Sequence, residues 1–391
     1  MTAPERARLG HFSVTRYGGE EVRAFIPPPL PPSPPLALTD ADQDLIGKVN
    51  RALGRLDSLA TLLPDTSLFV YMYVRKEAVL SSQIEGTQSS ISDLLIHELD
   101  EAPGVPIDDV TEVSNYVRAM NFGLGRIRDG FPLSLRLLRE IHGLLLQGGR
   151  GQAFQPGEFR RSQNWIGGTR PGNAAFVPPP PDRLMECLDP FEKFLHDDPV
   201  RVPLLVKAAL AHAQFETIHP FLDGNGRLGR LLITLLMCAE EALSQPLLYL
   251  SLYFKQHREA YYAHLQRIRT HGDWESWVRF FLEGVRTIAD EAVASAQAAM
   301  RLFDGDRRRI RDELRRGTGS ALQVHDILMR HPITSEAQAA GRTQLSAPTV
   351  GKALESLINL GLVRELTGKR RNRLFVYDPY LALLNDNTGR R

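Results

Sequence analysis

Twelve consecutive residues carry most of the chemistry this chain could do: His219-Pro220-Phe221-Leu222-Asp223-Gly224-Asn225-Gly226-Arg227-Leu228-Gly229-Arg230. Gly224, Asn225 and Gly226 permit positive φ or close packing, so successive backbone N–H groups can line one concavity at a helix start, where the helix dipole also favours an anion. Arg227 and Arg230, three apart, can fork phosphate oxygens from the first helical turn. Asp223 offers a hard carboxylate suited to Mg²⁺ bridging a polyphosphate. His219 is the nearby group whose ordinary pKa suits proton abstraction near neutral pH. A plain helix-to-helix turn, with His219 and Asp223 as caps, would use the same residues one by one but not their joint arrangement. His212, Glu216 and His219 share a helical face and offer a zinc reading. Their order is not His-Glu-x-x-His and zinc leaves the glycines unexplained, so His212 reads as a hydrogen-bonded core histidine.

The loop needs two helices to hold it. Leu204, Ala208, Ala211 and Phe215 recur at helical spacing up to Ile218, and Leu228, Leu231, Leu232, Leu235 and Leu236 mark a second apolar stripe running to about Leu243. Upstream, Ile26 to Leu36 contains seven prolines and predicts an extended strap. Thr39-Asp40 predicts an N-cap, and helical spacing recurs from Leu45 to Leu56, Phe69 to Ile84, Val113 to Ile127 and Leu133 to Leu145. Phe159 to Ile166 and Asn173 to Val177 flank a Gly/Pro turn and predict a β-hairpin. Helices follow over Lys255–Thr270 and Trp274 to about Leu302. Beyond a boundary near residue 304 the order is helix, helix, helix, hairpin. The expected units are a helical region with strap over 1–110, a core over 111–304 and a small unit over 305–391.

Composition bounds the rest. The 391 residues carry 47 Lys plus Arg against 46 Asp plus Glu, a net charge of +1, which excludes a whole-chain polycation or polyanion as the basis of binding. Hydrophobic residues at 43% and charged at 24% exclude a disordered or fibrous chain. Two cysteines, Cys187 and Cys238, exclude a disulfide framework and fit a reducing compartment. No apolar run approaches the roughly 18 residues of a membrane span, and the charged, then Pro-rich start lacks the apolar core of a signal peptide. The expectation is a cytoplasmic protein without a membrane association.

The stretch His219 to Arg230 resembles the signature of the Fic (Fido) family, His-Pro-Phe-x-[Asp/Glu]-Gly-Asn-Gly-Arg-x-x-Arg, at every defined position. Ile141-His142, Gly148 to Gly151 and Pro156 to Arg160 are similar to the family's helix and the approach to its target-binding flap, where Trp165, Ile166 and Phe176 fall. The resemblance implies an all-α core, a helical bundle with a β-hairpin flap, that moves AMP from ATP with Mg²⁺ to a Ser, Thr or Tyr hydroxyl of a target protein. It makes His219 the base and Asp223 the metal ligand. Gly224, Asn225, Gly226 and Arg227 become the phosphate cradle, and Arg230 the partner of the γ-phosphate. The family's phosphorylating subgroup has Lys where Gly226 stands, so nucleotidyl transfer is favoured. Ser81-Ser82-Gln83-Ile84-Glu85-Gly86 resembles the family's inhibitory signature, [Ser/Thr]-x-x-x-Glu-[Gly/Asn], which makes Ser81 and Glu85 restraining residues. Tyr261 and Tyr262 lie where the family builds its adenine pocket, though such aromatics are more often core.

Residues 305–391 resemble a winged helix-turn-helix of α+β class, with Ser346 to Leu360 as recognition helix and Lys369, Arg370, Arg371 and Arg373 in the wing. DNA is one partner this allows, a protein another, and homo-oligomerisation stays open. The primary expectation is a protein adenylyltransferase autoinhibited by Glu85. The alternatives are a DNA-binding regulator whose core senses nucleotide, and a hydrolase removing AMP through the same pocket.

Overall fold

The computed structural model describes residues 9–62, 67–99, 105–148, 150–369 and 372–385. The loop-bearing helices are α7 (Leu204–Ile218) and α8 (Asn225–Ala239), packed side by side. α7 is buried on every face, all but its first residue, as expected of a helix at the centre of a bundle. Its Lys207 is buried too and is paired with Asp197 at 2.9 Å and Glu240 at 2.8 Å. Around this pair stand α2 (Ser67–Ile84), α4 (Ile107–Arg128), α5 (Leu135–Leu145) and α6 (Leu184–Leu195).

The longest element is α11 (Trp274–Glu313), which α1 (Asp40–Leu62) follows along its length. Asp42 caps α1 through Thr39 and also takes Arg279 of α11 at 2.6 Å. Trp277 of α11 is fully buried and donates its indole N–H to Ala209 O of α7 at 2.8 Å, so α7 is held from behind by an aromatic that is both packed and hydrogen-bonded. Shorter helices α9 (Ser251–Gln256) and α10 (Arg258–His271) close the same side, and α3 (Ile91–His97) lies between α2 and α4.

Two expectations change here. The region expected over 1–110 as helices with a strap opens with a hairpin, β1 (His11–Tyr17) and β2 (Glu20–Ile26), paired from His11↔Ile26 to Tyr17↔Glu20. Gly18 and Gly19, at φ 60° and 87°, make the two-residue turn that needs positive φ at both positions. The boundary placed near residue 304 falls inside α11, because Phe303, Asp306 and Ile310 stay buried and carry the helix into the C-terminal unit. That unit holds α12 (Thr318–Arg330), β3 (Ile333–Ser335), α13 (Glu336–Thr343), α14 (Ala347–Asn359), β4 (Arg364–Glu365), β5 (Leu374–Val376) and α15 (Asp378–Asn385). Its sheet is antiparallel in the order β3-β5-β4. Arg370 and Arg371 lie outside the described residues.

The proline strap runs as expected, without regular structure. Gln214 of α7 donates to Pro28 O at 2.8 Å, and Ala37 N–H donates to Glu275 of α11 at 2.8 Å. Among the described residues no helix is long and apolar enough to cross a membrane. Trp277→Ala should cost about 3–5 kcal/mol, the usual range for emptying a large buried aromatic site; the denaturant midpoint of the full chain checks it.

Candidate active site

The turn between α7 and α8 is fixed by main-chain geometry before any functional side chain is placed. His219 takes left-handed φ 50° and ψ 60°, ending α7, and its N–H donates to Phe215 O at 2.9 Å. Gly224 is left-handed at φ 75° and starts α8. Asn225 closes the loop with its own amide, accepting Phe221 N–H at 2.9 Å and donating to Phe221 O at 2.8 Å. Its side chain is therefore spent on the turn, and what it can offer a ligand is its main-chain N–H. Arg160 threads beneath, donating to His219 O at 2.9 Å and Pro179 O at 2.5 Å. Asn164 donates to Phe221 O at 2.9 Å. His142 stacks on Phe221 at 3.8 Å, accepts Gly157 N–H on Nδ1 at 2.8 Å and so donates from Nε2 to Asp223 O at 2.9 Å.

The two loop arginines are buried. Arg227 donates to Glu112 of α4 at 2.9 Å and to Asp223 at 3.2 Å, and its Nε has no partner. Arg230 donates from Nε to Ser81 Oγ at 2.9 Å and from Nη2 to Ser81 O at 2.9 Å and Glu85 Oε1 at 2.6 Å. Ser81 sits in the last turns of α2, Glu85 just beyond it, and Gly86 at φ 101° makes the stop. The Glu85 carboxylate lies directly over Gly226, where any Cβ would collide with it. Burial works against the charge on Glu85, yet Arg230, with Arg227 adding, holds its carboxyl below the usual range. Asp223 keeps 41% of its side chain exposed at the mouth. Among the described residues no group of three or more His, Cys, Asp or Glu could hold a metal ion. A lone open carboxylate beside an anion cradle fits Mg²⁺ carried by phosphates and not an all-protein cage.

His219 is pushed down to about 3, by burial first and then by Arg269 and Arg160, so its imidazole is neutral at neutral pH and takes a proton less readily than a free histidine. His212 is the core histidine its setting predicted: it bonds Gly229 O and Tyr261 OH, each at 2.9 Å, leaving no nitrogen for zinc. Tyr261 is thereby fixed in the core, while Tyr262 is 38% exposed beneath the Arg258 guanidinium, 5.3 Å from its ring centre.

The expected flap hairpin is reduced to one bridge, Ile166↔Phe176, with Ile166 N–H to Phe176 O at 2.8 Å. Phe176 is mostly buried, with Arg269 over its ring at 3.9 Å and Phe25 at 5.9 Å, so it anchors the flap; Ile166 is partly open. Trp165 packs against Val22, Ala24 and Val177, and Phe25 N–H donates to Val177 O at 2.9 Å, so β2 braces the flap's far edge. Reading along the chain assigned no role to Glu112 or Asn164, and named Glu216 only within the zinc reading and Arg160 only on the approach to the flap; these residues reach the loop from other elements or from beneath it. The proximity of Arg160 to the glycine-rich stretch was the available signal for one of them.

Residues 43–125 match the Fic/DOC family N-terminal model and residues 132–237 the Fic/DOC family model. The chain is 34% identical over 205 residues to a protein adenylyltransferase Fic of Aedes aegypti, covering 51% of this chain and 38% of that protein. With the Drosophila erecta protein of the same name it shares 32% over 182 residues, 46% of this chain and 33% of that one. It thus matches only about a third of the length of these curated relatives. A Fic family protein from Desulfovibrio desulfuricans G20 has the same fold, with a TM-score of 0.57 at 20% identity over 88% of this chain and 97% of that one. A Fic domain containing signaling protein from Bacteroides thetaiotaomicron VPI-5482 gives 0.53 at 18% over 64% and 97%. The chain thus carries Fic/DOC family domains over these two stretches.

Burial, with Arg227 adding, lowers His142 from 6.5 to about 4 against the pull of Asp223. A histidine kept neutral in the fold gives stability that is complete above its unfolded pKa and lost as pH falls toward the folded one. Stability should therefore fall between pH 6.5 and 4, and His142→Gln should flatten that slope by about 1.4 kcal/mol per pH unit. Urea midpoints across this range for the two proteins check it.

Proposed function

We propose that the chain is a protein adenylyltransferase, restrained by Glu85, that transfers AMP from ATP to a Ser, Thr or Tyr hydroxyl of a target protein. The observation that carries this reading is the Arg230 clasp. A guanidinium at the start of a helix, beside a glycine cradle, is placed for a terminal phosphate, and Ser81 and Glu85 occupy it instead. The neutral His219 supports the base role: Nε2 takes the proton as the hydroxyl oxygen bonds to the α-phosphorus and the bond to the β-phosphate oxygen breaks, releasing pyrophosphate. The main-chain N–H groups of Gly224 to Gly226, with Arg227, would hold the α- and β-phosphates. Asp223 would hold Mg²⁺, which when bound neutralises charge on the polyphosphate. The partly open Ile166 side chain would meet an extended target segment, with Trp165 and Phe176 fixing the flap behind it. Tyr262 beside Arg258 is the open aromatic for the adenine.

A cytoplasmic location is supported by the free thiols of Cys187 and Cys238. In the C-terminal unit, the order of helices and hairpin supports a winged-helix reading. Its α14 presents Lys352 as its one cation and Arg373 faces Glu336 at 3.6 Å, which favours a protein contact over DNA.

Incubation with ATP and cell lysate tests the reaction. Label from the α-phosphate should stay on protein and label from the γ-phosphate should not; the reverse result makes the chain a kinase. His219→Ala should lose a factor of about 10²–10⁴ in transfer while ATP still binds. Glu85→Gly should raise transfer by about 10², because freeing Arg230 lets the triphosphate seat for in-line attack. Adding Arg230→Ala to that variant should cancel the gain. Transfer by Glu85→Gly at or below the wild-type level would remove the inhibitory role.

A further inference from the structure

Two unsatisfied polar atoms lie behind the base. His219 Nδ1 is buried with no hydrogen-bond partner, and so is Glu216 Oε1. The other carboxylate oxygen, Oε2, stands 4.0 Å from Nδ1. Glu216 is one turn before His219 in α7 and only 6% exposed. On its far side Gly229 of α8 leaves the room it occupies, since a Cβ there would lie 2.5 Å from Oε1. The charged and titratable groups acting around this carboxyl are His219, Arg230 of α8, Arg269 and Tyr261 of α10, and Glu85. None of them bonds to it. Arg269 spends Nη2 on Glu216 O at 3.0 Å and Nε on Thr217 Oγ1 at 3.3 Å, fixing the turn and not the carboxylate.

An imidazole base accepts through whichever nitrogen is not already protonated, and the partner of the other nitrogen decides which that is. Burial, Arg269 and Arg160 disfavour the imidazolium that must form when His219 takes a proton, and outweigh the Glu216 main-chain carbonyl and Glu85, which favour it. A carboxylate on the far nitrogen answers both needs. We propose that Glu216 is a positioning residue for the base: it accepts Nδ1–H of His219, leaves Nε2 free toward the cleft, and offsets the imidazolium charge as the target hydroxyl gives up its proton. The proton passes from hydroxyl oxygen to Nε2, Nδ1–H stays on the ring, and Glu216 stays ionised. The gap must close by about 1 Å to make the bond, as is common for catalytic contacts before substrate binds. Burial pushes the Glu216 carboxyl up to about 7, so the ionised form that can offset the imidazolium grows in as pH rises through neutrality.

This inference rests on the adenylyl-transfer reading for its kinetics but not for its tautomer, and the test uses both. In the full chain with ¹⁵N-labelled histidine rings, the His219 signal, identified by its loss in His219→Ala, should report an Nδ1–H tautomer that Glu216→Ala shifts toward Nε2–H. In the Glu85→Gly background, Glu216→Gln should lower kcat about tenfold with KM for ATP unchanged, and erase a rise of activity with pH centred near 7. Gly229→Ala keeps the carboxyl but displaces it, and should lower kcat similarly without removing ATP binding. An Nε2–H tautomer in the wild-type protein, or a Glu216→Gln variant with unaltered kcat and pH profile, overturns the proposal. The expected tautomer in a protein that labels no target supports the Glu216 contact and overturns the transferase reading instead.

Discussion

The site depends on a left-handed residue that is not glycine. His219 at φ 50° stops α7 within one residue and turns the chain so that Pro220 to Gly224 can double back before α8 begins. A side-chain-bearing residue pays on the order of 1–2 kcal/mol for that conformation. The surroundings hold it there: Arg160 and Asn164 donate to the carbonyls of residues 218 to 221, and Asn225 pins Phe221 from the inside. Those carbonyls belong to the end of α7 and the loop, where no intrahelical donor is available. The guanidinium that satisfies them also lowers the proton affinity of the histidine it supports.

Arginine recurs around the turn as buried, preorganised forks of donors. Arg160 faces carbonyls, Arg227 faces Glu112 and Asp223, and Arg230 faces Ser81 and Glu85. Each buried charge needs a partner, and removing one would leave the other uncompensated. Glu85 satisfies Arg230 at 2.6 Å and sits over Gly226, so any other anion at that guanidinium must compete with a bond already made.

The flap is braced from outside the region that matches the family. β2 donates from Phe25 to Val177 O, and Val22 and Ala24 cover Trp165. That occupies one edge of the short flap pairing and leaves the Ile166 side as the edge beside the loop. At the other end of the chain, α11 runs without a break from the wall behind α7 into the C-terminal unit. One continuous apolar core therefore reaches from Ile26 to Leu384.

Legibility tracked the range of the interactions. The α7-turn-α8 unit and the buried state of His212 were readable because local spacing, turn chemistry and a single helical face specify them, whereas Ser81 and Glu85 were marked only by their resemblance to a family signature. The β1-β2 hairpin carried its signal in Gly18-Gly19 between alternating runs, but the helical pattern downstream dominated the reading of that region. The boundary near residue 304 was misplaced because an arginine-rich face reads as a break, whereas Phe303 and Ile310 on the opposite face continue the helix. What spacing along the chain did not contain was the company each residue keeps across elements: Glu112 on Arg227, and Arg160 and Asn164 under the loop. These contacts join residues up to 115 positions apart. A side chain's partners there are set by how helices pack, and local propensity carries no term for that.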